Sequence, residues 1–210
     1  LLQTVRAFGE DGERYQRLIE PFVNRADVLL PQLLNPPFPL GNLRMLAGFA
    51  RKGLSSAESL VEKNFKTPAI RGMFAGMAAH SVRPLETRLT GAVGLLFCIT
   101  AHASGWPLPR GGSHSIAAAM RALFESLGGE VVTDSPVSNF SKLPPSEAVL
   151  FDLAPSAVSR IAGEQLPSRY RKKLEQFRHG PGAFKIDWAL DGPIPWKNED
   201  AKRAGTVHVG

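Results

Sequence analysis

The sequence predicts an α+β fold in which a helical subdomain is followed by a mixed β-sheet with flanking helices. Apolar residues recur with a period near 3.6 through the first half of the chain, which is typical of amphipathic helices. From Trp106 onwards, helical patterns alternate with short apolar runs, which is typical of strands covered by helices. The predicted boundaries are a helical part at 1–105, a mixed segment at 106–165 and a helix with strands at 166–210.

The first half predicts five or six helices separated by proline and glycine. A helix is expected from Glu13 to Asn35, with Pro21 and Pro31 kinking or restarting it. The proline-rich stretch from Asn35 to Pro39 predicts a rigid extended connector. Further helices are predicted at Leu43–Arg51, at Ser55–Phe65, from a Thr67 cap and Pro68 to His80, and onward from Pro84.

The second half predicts helices alternating with strands. Ser113 or Ser115 is expected to cap a helix that ends at Gly128, a residue suited to a left-handed backbone. Helices are also predicted after Ala154 and after Pro167. Strands are predicted at 131–133, 137–140, 148–152 and 182–190, the last with Phe184, Ile186 and Trp188 on one face and Lys185 and Asp187 on the other.

The composition is that of an ordinary globular protein. The chain has 210 residues, 43% of them apolar and 21% charged. Its lone cysteine, Cys98, excludes an internal disulfide and predicts a buried, inert thiol; no pattern of metal ligands is seen. The longest apolar run, at 89–103, is short and broken by glycine, and no signal peptide opens the chain, so a cytoplasmic location is expected.

The net charge of +6 comes from scattered basic residues. The densest groups, Arg169–Lys173 and Lys197–Arg203, are short, and no base-reading module accompanies them. This favours solvated helix faces over binding of nucleic acid or an anionic surface, which remains an alternative. The chain begins at Leu1 without methionine and ends in an apolar run, Val207–Gly210, so we expect a piece of a longer protein with an unpaired edge strand.

Common catalytic and cofactor motifs are missing from the sequence. Gly111-Gly112 and the later Gly180-Pro181-Gly182 lack the third glycine and the preceding strand of a dinucleotide fingerprint. Ser113 and His114 are adjacent, so their side chains point in different directions, which argues against a nucleophile–base pair.

Several motifs nevertheless occur together in a specific order. They are Phe74–Ser81 with Pro84-Leu85, Pro109-Arg110-Gly111-Gly112 before a helix, Gly128-Gly129-Glu130-Val131, Val137 to Phe140, Asp152–Pro155, and Lys185 to Trp196. This order resembles the phytoene-desaturase-like FAD-dependent oxidoreductases of the amine-oxidase superfamily. The resemblance implies an internal fragment, with substrate-domain parts at 1–105 and 166–210 and a return segment to the FAD domain at 106–165.

The resemblance also implies FAD as the cofactor, with its pyrophosphate site outside this chain. Val137 matches a valine whose backbone approaches the adenine, and Pro155 follows the strand beside the cofactor. Gly111 and Gly112 are the positions where the backbone would come close to the flavin. Lys185 resembles the lysine held against flavin N5 through a water, which makes it the candidate catalytic residue; a solvent-facing strand lysine is the alternative.

Two residues of the helical half are candidates for binding substrate. Trp106 could line a substrate cavity or be a core aromatic, and His80 could face the pocket or cap a helix end. The resemblance implies hydride removal from an apolar, isoprenoid-like or amine-bearing substrate, and an inactive fragment in isolation. A non-enzymatic helical domain that binds an apolar ligand or a protein is the alternative, and a second copy of the chain is an expected partner.

Overall fold

The computed structural model describes residues 1–35 and 42–207 and divides into two compact units. The first unit comprises Leu1–Pro107 and Leu190–Gly210, and the second comprises Leu108–Ala189. Most of the predicted connector, residues 36–39, and most of the predicted terminal edge strand, residues 208–210, lie outside the described residues.

Eleven α-helices occur in the described ranges. In chain order they are α1 (Leu2–Ala7), α2 (Gly12–Val23), α3 (Ala26–Leu34), α4 (Leu43–Gly53), α5 (Ala57–Asn64), α6 (Pro68–Ala79), α7 (Thr90–Ser104), α8 (His114–Ser126), α9 (Pro155–Ala162), α10 (Ser168–Glu175) and α11 (Glu199–Arg203). Helices α8 to α10 belong to the second unit, and the others belong to the first. Short 3₁₀ turns lie at Gly9–Asp11, Phe140–Lys142 and Gly163–Gln165.

The core of the first unit forms around α7. Helices α2, α3, α4, α5 and α6 all pack against it. The large, fully buried apolar side chains of this core include Tyr15, Phe65, Phe74, Leu95 and Ile99. Their removal from water is the main source of stability for this unit.

Local signals in the sequence place several helix ends correctly. The Ser56 side chain accepts a hydrogen bond from the Ser59 amide at 3.1 Å and so caps α5, and Pro68 is the first residue of α6, as predicted. Gly128 follows α8 with φ of +88°, the left-handed conformation that its position predicts. These devices act within a few residues, so the sequence alone reveals them.

The helix boundaries predicted at three prolines are wrong. Pro21 and Pro31 lie inside α2 and α3, and the chain breaks instead between them, after Val23. Helix α7 begins at Thr90 and not at Pro84. The buried Thr90 hydroxyl donates to backbone carbonyls in the preceding turn and accepts from the Ala57 amide at 2.9 Å, so a long-range contact ties the starts of α5 and α7 together.

The predicted mixed sheet is not formed, and the α+β class is wrong. Residues 1–35 and 42–207 contain no strand, and the described chain is all helical. No backbone hydrogen bond in these ranges pairs two of the segments at 131–133, 137–140, 148–152 and 182–190. Leu150, Phe184 and Trp188 are 96%, 93% and 76% exposed. Alternation shows which face a strand would bury, but a strand also needs a hydrogen-bonded neighbour and a covering layer.

Candidate functional site

Helix α6 is anchored at its start by a buried carboxylate. Asp11 Oδ2 accepts hydrogen bonds from the Lys66 amide at 2.8 Å, the Thr67 amide at 2.7 Å and the Thr67 hydroxyl at 2.9 Å. Burial opposes ionisation of Asp11, but these hydrogen bonds and the nearby Arg14 outweigh it and hold the pKa of the carboxyl below its ordinary value. A negative charge is therefore fixed at the N-terminus of α6, where the helix dipole favours it.

One face of α6 packs closely against α7. Ile70, Phe74 and Ala78 recur every four residues and are fully buried. Gly94 of α7 lies so close to this face that a Cβ atom there would stand 2.7 Å from the Phe74 ring and 3.2 Å from the Ala78 Cβ. The glycine thus allows the two helices to approach and sets the position of the neighbouring face of α6.

That neighbouring face lines a cavity of about 800 Å³ in the first unit. Its lining from α6 and the residue after it consists of small and flexible apolar residues ending in a histidine: Ala69, Gly72, Met73, Gly76, Met77 and His80. Ala101 and Trp106 contribute beside them. The other wall comes from α11 and its surroundings: Asn198, Asp200, Ala201 and 204–207. The lining is mainly apolar, and the volume is that of a small-molecule site.

Two residues that line this cavity, His80 and Trp106, form an aromatic cluster with Phe97. His80 stacks on Phe97, with ring centroids 4.6 Å apart and planes inclined by 14°. The Trp106 ring stands edge-on to both, 6.0 Å from His80 and 5.6 Å from Phe97. Gly105 ends α7 with φ of +72°, a left-handed conformation that turns the chain before Trp106. The structure therefore brings together the two residues that the sequence suggested for substrate binding.

Two polar side chains of the opposite wall already have hydrogen-bond partners. The Asp200 carboxylate accepts from Arg203 at 2.7 Å, and the Asn198 side chain accepts from the Asp200 amide at 2.7 Å. A ligand would therefore meet little uncompensated charge from this wall. The arrangement suits an uncharged, apolar molecule, with its more polar or conjugated end near His80 and Trp106.

The sequence did not single out the wall formed by α6. Ala69, Gly72, Met73, Gly76 and Met77 follow one another at steps of three, one, three and one. This spacing marks a second helix face beside the buried one, and its small and methionine side chains are typical of an adaptable binding surface. That signal could have indicated a groove, although only the fold shows what covers it.

The residues linked to FAD by resemblance lie in the second unit, whereas His80 and Trp106 lie in the first. The Lys185 side chain is 79% exposed and forms an ion pair with Asp187 at 2.8 Å. Its catalytic role stays a prediction, since a paired, solvent-facing lysine is what an ordinary surface position would also show. Val137 is 38% exposed.

Gly111 and Gly112 form a tight turn before α8. Their φ angles are +86° and +87°, and the Gly112 amide donates to the Pro109 carbonyl at 3.1 Å. A Cβ at Gly112 would meet nothing within 4 Å, and one at Gly111 would meet only the Ser115 hydroxyl, at 2.9 Å. In this chain the two glycines serve the backbone conformation, and no close approach to other protein atoms requires Gly112.

Pro155 is the first residue of α9 and lines a cavity of about 610 Å³ in the second unit, beside Phe140, Val149 and Tyr170. None of the other residues linked to FAD lines that cavity. With Lys185 paired in solvent and Val137 partly exposed, these residues do not by themselves fit a flavin. No step of a flavin reaction is therefore assigned to them.

A cluster of titratable side chains in the first unit combines the buried Tyr15 and Cys98 with the half-buried His102. The Tyr15 hydroxyl and His102 Nε2 are 2.8 Å apart, and burial raises the pKa of Tyr15 and lowers the pKa of His102. Burial also raises the pKa of Cys98 to about 12. The prediction that Cys98 is a buried thiol is confirmed, and its raised pKa makes it unreactive at neutral pH.

Comparison with known protein families, with curated proteins and with solved structures gives no match. The likeness to FAD-dependent oxidoreductases therefore rests on the motifs alone. Within residues 1–35 and 42–207, no three His, Cys, Asp or Glu side chains gather as a metal site would require. In the same part of the chain, no helix is long and apolar enough to cross a membrane.

Proposed function

We propose that the chain is the substrate-binding part of a FAD-dependent oxidoreductase of the phytoene-desaturase-like kind, acting on an apolar or amine-bearing substrate. One observation carries this proposal. His80 and Trp106, which the motifs suggest for substrate binding, line a single apolar cavity of about 800 Å³. An apolar cavity binds such a substrate by removing its surface from water.

The chain's own contribution is to bind and orient the substrate. The α6 wall offers no charged side chain, so an apolar molecule that covers it removes no charge from water. Hydride transfer belongs to the flavin, whose pyrophosphate site the sequence lacks. We therefore expect the isolated 210-residue chain to bind no FAD and to be inactive.

A second candidate function is non-enzymatic binding of an apolar ligand or a protein by a helical domain. It is favoured because the cavity is built entirely from the helical first unit and does not use the residues linked to FAD. Flavin binding by a longer form of the protein would favour the oxidoreductase, whereas ligand binding without any flavin dependence would favour this alternative.

The proposal includes partners and location. The partners are a small apolar substrate and a second copy of the chain, and nucleic acid is not among them because the basic residues form only short, scattered groups. Residues 1–35 and 42–207 hold no helix able to cross a membrane, and a cytoplasmic location belongs to the proposal.

The cavity can be tested through the fluorescence of Trp106. Replacing Trp188 and Trp196 by phenylalanine leaves Trp106 as the sole tryptophan, since the chain has three. All-trans-retinol, a neutral polyene whose absorption overlaps tryptophan emission, serves as the probe. Saturable quenching of Trp106 is expected if retinol enters the cavity.

A matched pair of glycine variants separates the cavity from the rest of the surface. Gly72 lines the cavity, and Gly48 of α4 does not; a Cβ at either meets nothing within 4 Å, so both accept a side chain. Gly72→Leu is expected to weaken retinol binding at least about tenfold by filling the cavity, whereas Gly48→Leu leaves it unchanged. Equal effects of the two variants, or no saturable quenching, would contradict the proposed site.

A further inference from the structure

Helix α8 carries an apolar face that the second unit leaves in solvent. None of the 13 residues of α8 is buried. Three residues of one face of α8 and Leu127, which directly follows the helix, recur at the 4-3-4 spacing of a coiled-coil seam, and a phenylalanine lies beside them: Ile116, Met120, Leu123, Leu127 and Phe124. They are between 50% and 78% exposed. We call these five residues the α8 seam. A contiguous apolar face of this kind is typical of an interaction surface.

The remainder of α8 keeps charge away from the seam. Arg121 and Glu125 lie on the opposite face and pair with each other at 2.8 Å. Ala118 lies on the same face as Glu125, away from the seam, and it is exposed. The helix therefore has one uncharged face and one face whose two charges form an ion pair with each other. A partner can cover the seam without burying a charge.

Both ends of α8 are held by local hydrogen bonds. At the start, the Ser115 hydroxyl donates to the Arg110 carbonyl at 2.8 Å. At the end, Gly128 takes a left-handed conformation and the Gly129 amide donates to the Phe124 carbonyl at 3.0 Å. The seam is thus presented on a helix with defined ends, which lowers the entropy lost when it binds.

We propose that the α8 seam pairs with the α8 seam of a second copy of this chain, with the two helices antiparallel about a two-fold axis. Reversing the seam reproduces its own spacing, since 4-3-4 reads the same in both directions. Ile116 of one copy then lies opposite Leu127 of the other, and Met120 lies opposite Leu123. Such a self-complementary patch is what a two-fold interface needs.

The charges beyond the helix ends favour the antiparallel direction. Arg110 precedes α8 and Glu130 follows it; both are exposed, and neither side chain forms an ion pair with another described residue. Antiparallel pairing brings Arg110 of each copy towards Glu130 of the other. Parallel pairing would instead bring like charges together at both ends.

The area of the seam is enough for a dimer that depends on concentration. The five residues together expose roughly 600 Å², so pairing would bury at most about 1,200 Å² in all, near the lower bound for a specific interface. We therefore expect association on the order of micromolar affinity. The seam is thus the surface through which the proposed function's second copy of the chain would bind. The pairing of the two seams does not depend on which molecule the cavity binds.

Sedimentation velocity of the full 210-residue chain, at concentrations up to about 100 µM, tests the pairing. The wild-type chain is expected to form dimers and Leu123→Glu to remain monomeric. The matched control Ala118→Glu adds the same charge to the opposite face and is expected to leave the dimer intact. Since α8 contributes no buried residue, circular dichroism should show the same helix content in both variants.

Charge reversal tests the direction of the helices without touching the seam. Arg110→Glu alone and Glu130→Arg alone are each expected to weaken the dimer several-fold, and the double reversal to restore it. A wild-type chain that stays monomeric, an assembly that Leu123→Glu leaves intact, or a double reversal that does not recover pairing would overturn the proposal. None of these results affects the retinol titration, so the two proposals fail separately.

Discussion

Replacing Gly94 by alanine tests the close approach of α6 and α7 that positions the cavity. The added Cβ would lie 2.7 Å from the Phe74 ring, well inside normal contact, and Phe74 is fully buried and cannot swing into solvent. Overpacking of this kind costs roughly 1–3 kcal/mol. Alanine in place of glycine inside a helix stabilises by about 1 kcal/mol, which offsets part of that cost.

The same substitution at Gly48 isolates the steric part. A Cβ at Gly48 meets nothing within 4 Å, so Gly48→Ala is expected to stabilise the first unit by up to about 1 kcal/mol. The free energy of unfolding of Gly94→Ala should therefore lie about 1–3 kcal/mol below that of Gly48→Ala. In a Phe74→Leu background Gly94→Ala should cost much less than it does in the wild-type chain, because the smaller side chain leaves room for the added Cβ.

Urea unfolding followed through Trp106 is the appropriate assay. In a chain with Trp188 and Trp196 replaced by phenylalanine, Trp106 reports on the ends of α6 and α7, since it contacts His80 and Phe97. The midpoints and slopes give the free-energy differences. If Gly94→Ala proves as stable as Gly48→Ala, or if its cost is the same with leucine at position 74 as with phenylalanine, the close helix crossing is refuted.

Three further predictions concern buried polar groups. Asp11→Asn should lower the melting temperature at pH 7. Because the pKa of Asp11 is lower in the folded chain, its ionised carboxylate stabilises the fold above the unfolded pKa of about 3.9, and this stabilisation is lost as the pH falls below that value. The melting temperature of the variant should therefore depend less on pH in that acidic range than the melting temperature of the wild-type chain. Burial lowers the pKa of His102, so the imidazole takes up a proton more readily in the unfolded chain, and stability should fall as the pH drops below about 6.5. His102→Gln should remove this fall in melting temperature. A melting temperature that varies with pH in the same way in the variant would exclude His102 as the source. Cys98, buried and with a pKa raised to about 12, should react with a thiol reagent only after unfolding, and rapid reaction of the native chain would contradict its placement in the core.

Several helix ends in both units follow from local patterns that the sequence shows directly. The Ser56 cap, Pro68 at the start of α6 and Gly128 after α8 each act through hydrogen bonds or backbone preferences within a few residues. The prolines were less informative, because Pro21 and Pro31 are accommodated inside helices. Packing against α7 outweighs the local cost of a missing amide donor.

The strand predictions failed for a reason that is also physical. Phe184, Ile186 and Trp188 do alternate with Lys185 and Asp187 along the sequence, and in the structure Lys185 and Asp187 do meet. Alternation is compatible with a strand only where another strand supplies hydrogen bonds, and no described residue supplies them. Alternation of apolar and polar residues therefore indicates that a segment can form a strand, but the strand forms only where the fold places another strand beside it.

The sequence by itself determined the positions of most helices, the burial expected of Cys98 and the choice of His80 and Trp106 as candidate binding residues. Only the tertiary structure decided that these two residues share a cavity, that Asp11 holds the start of α6, and that the segment around α11 forms the opposite wall. Local hydrogen bonds and helical periodicity depend on neighbours in the chain, whereas a cavity depends on how distant helices pack. That packing is set by contacts such as Gly94 against Phe74, whose closeness no spacing along the chain encodes.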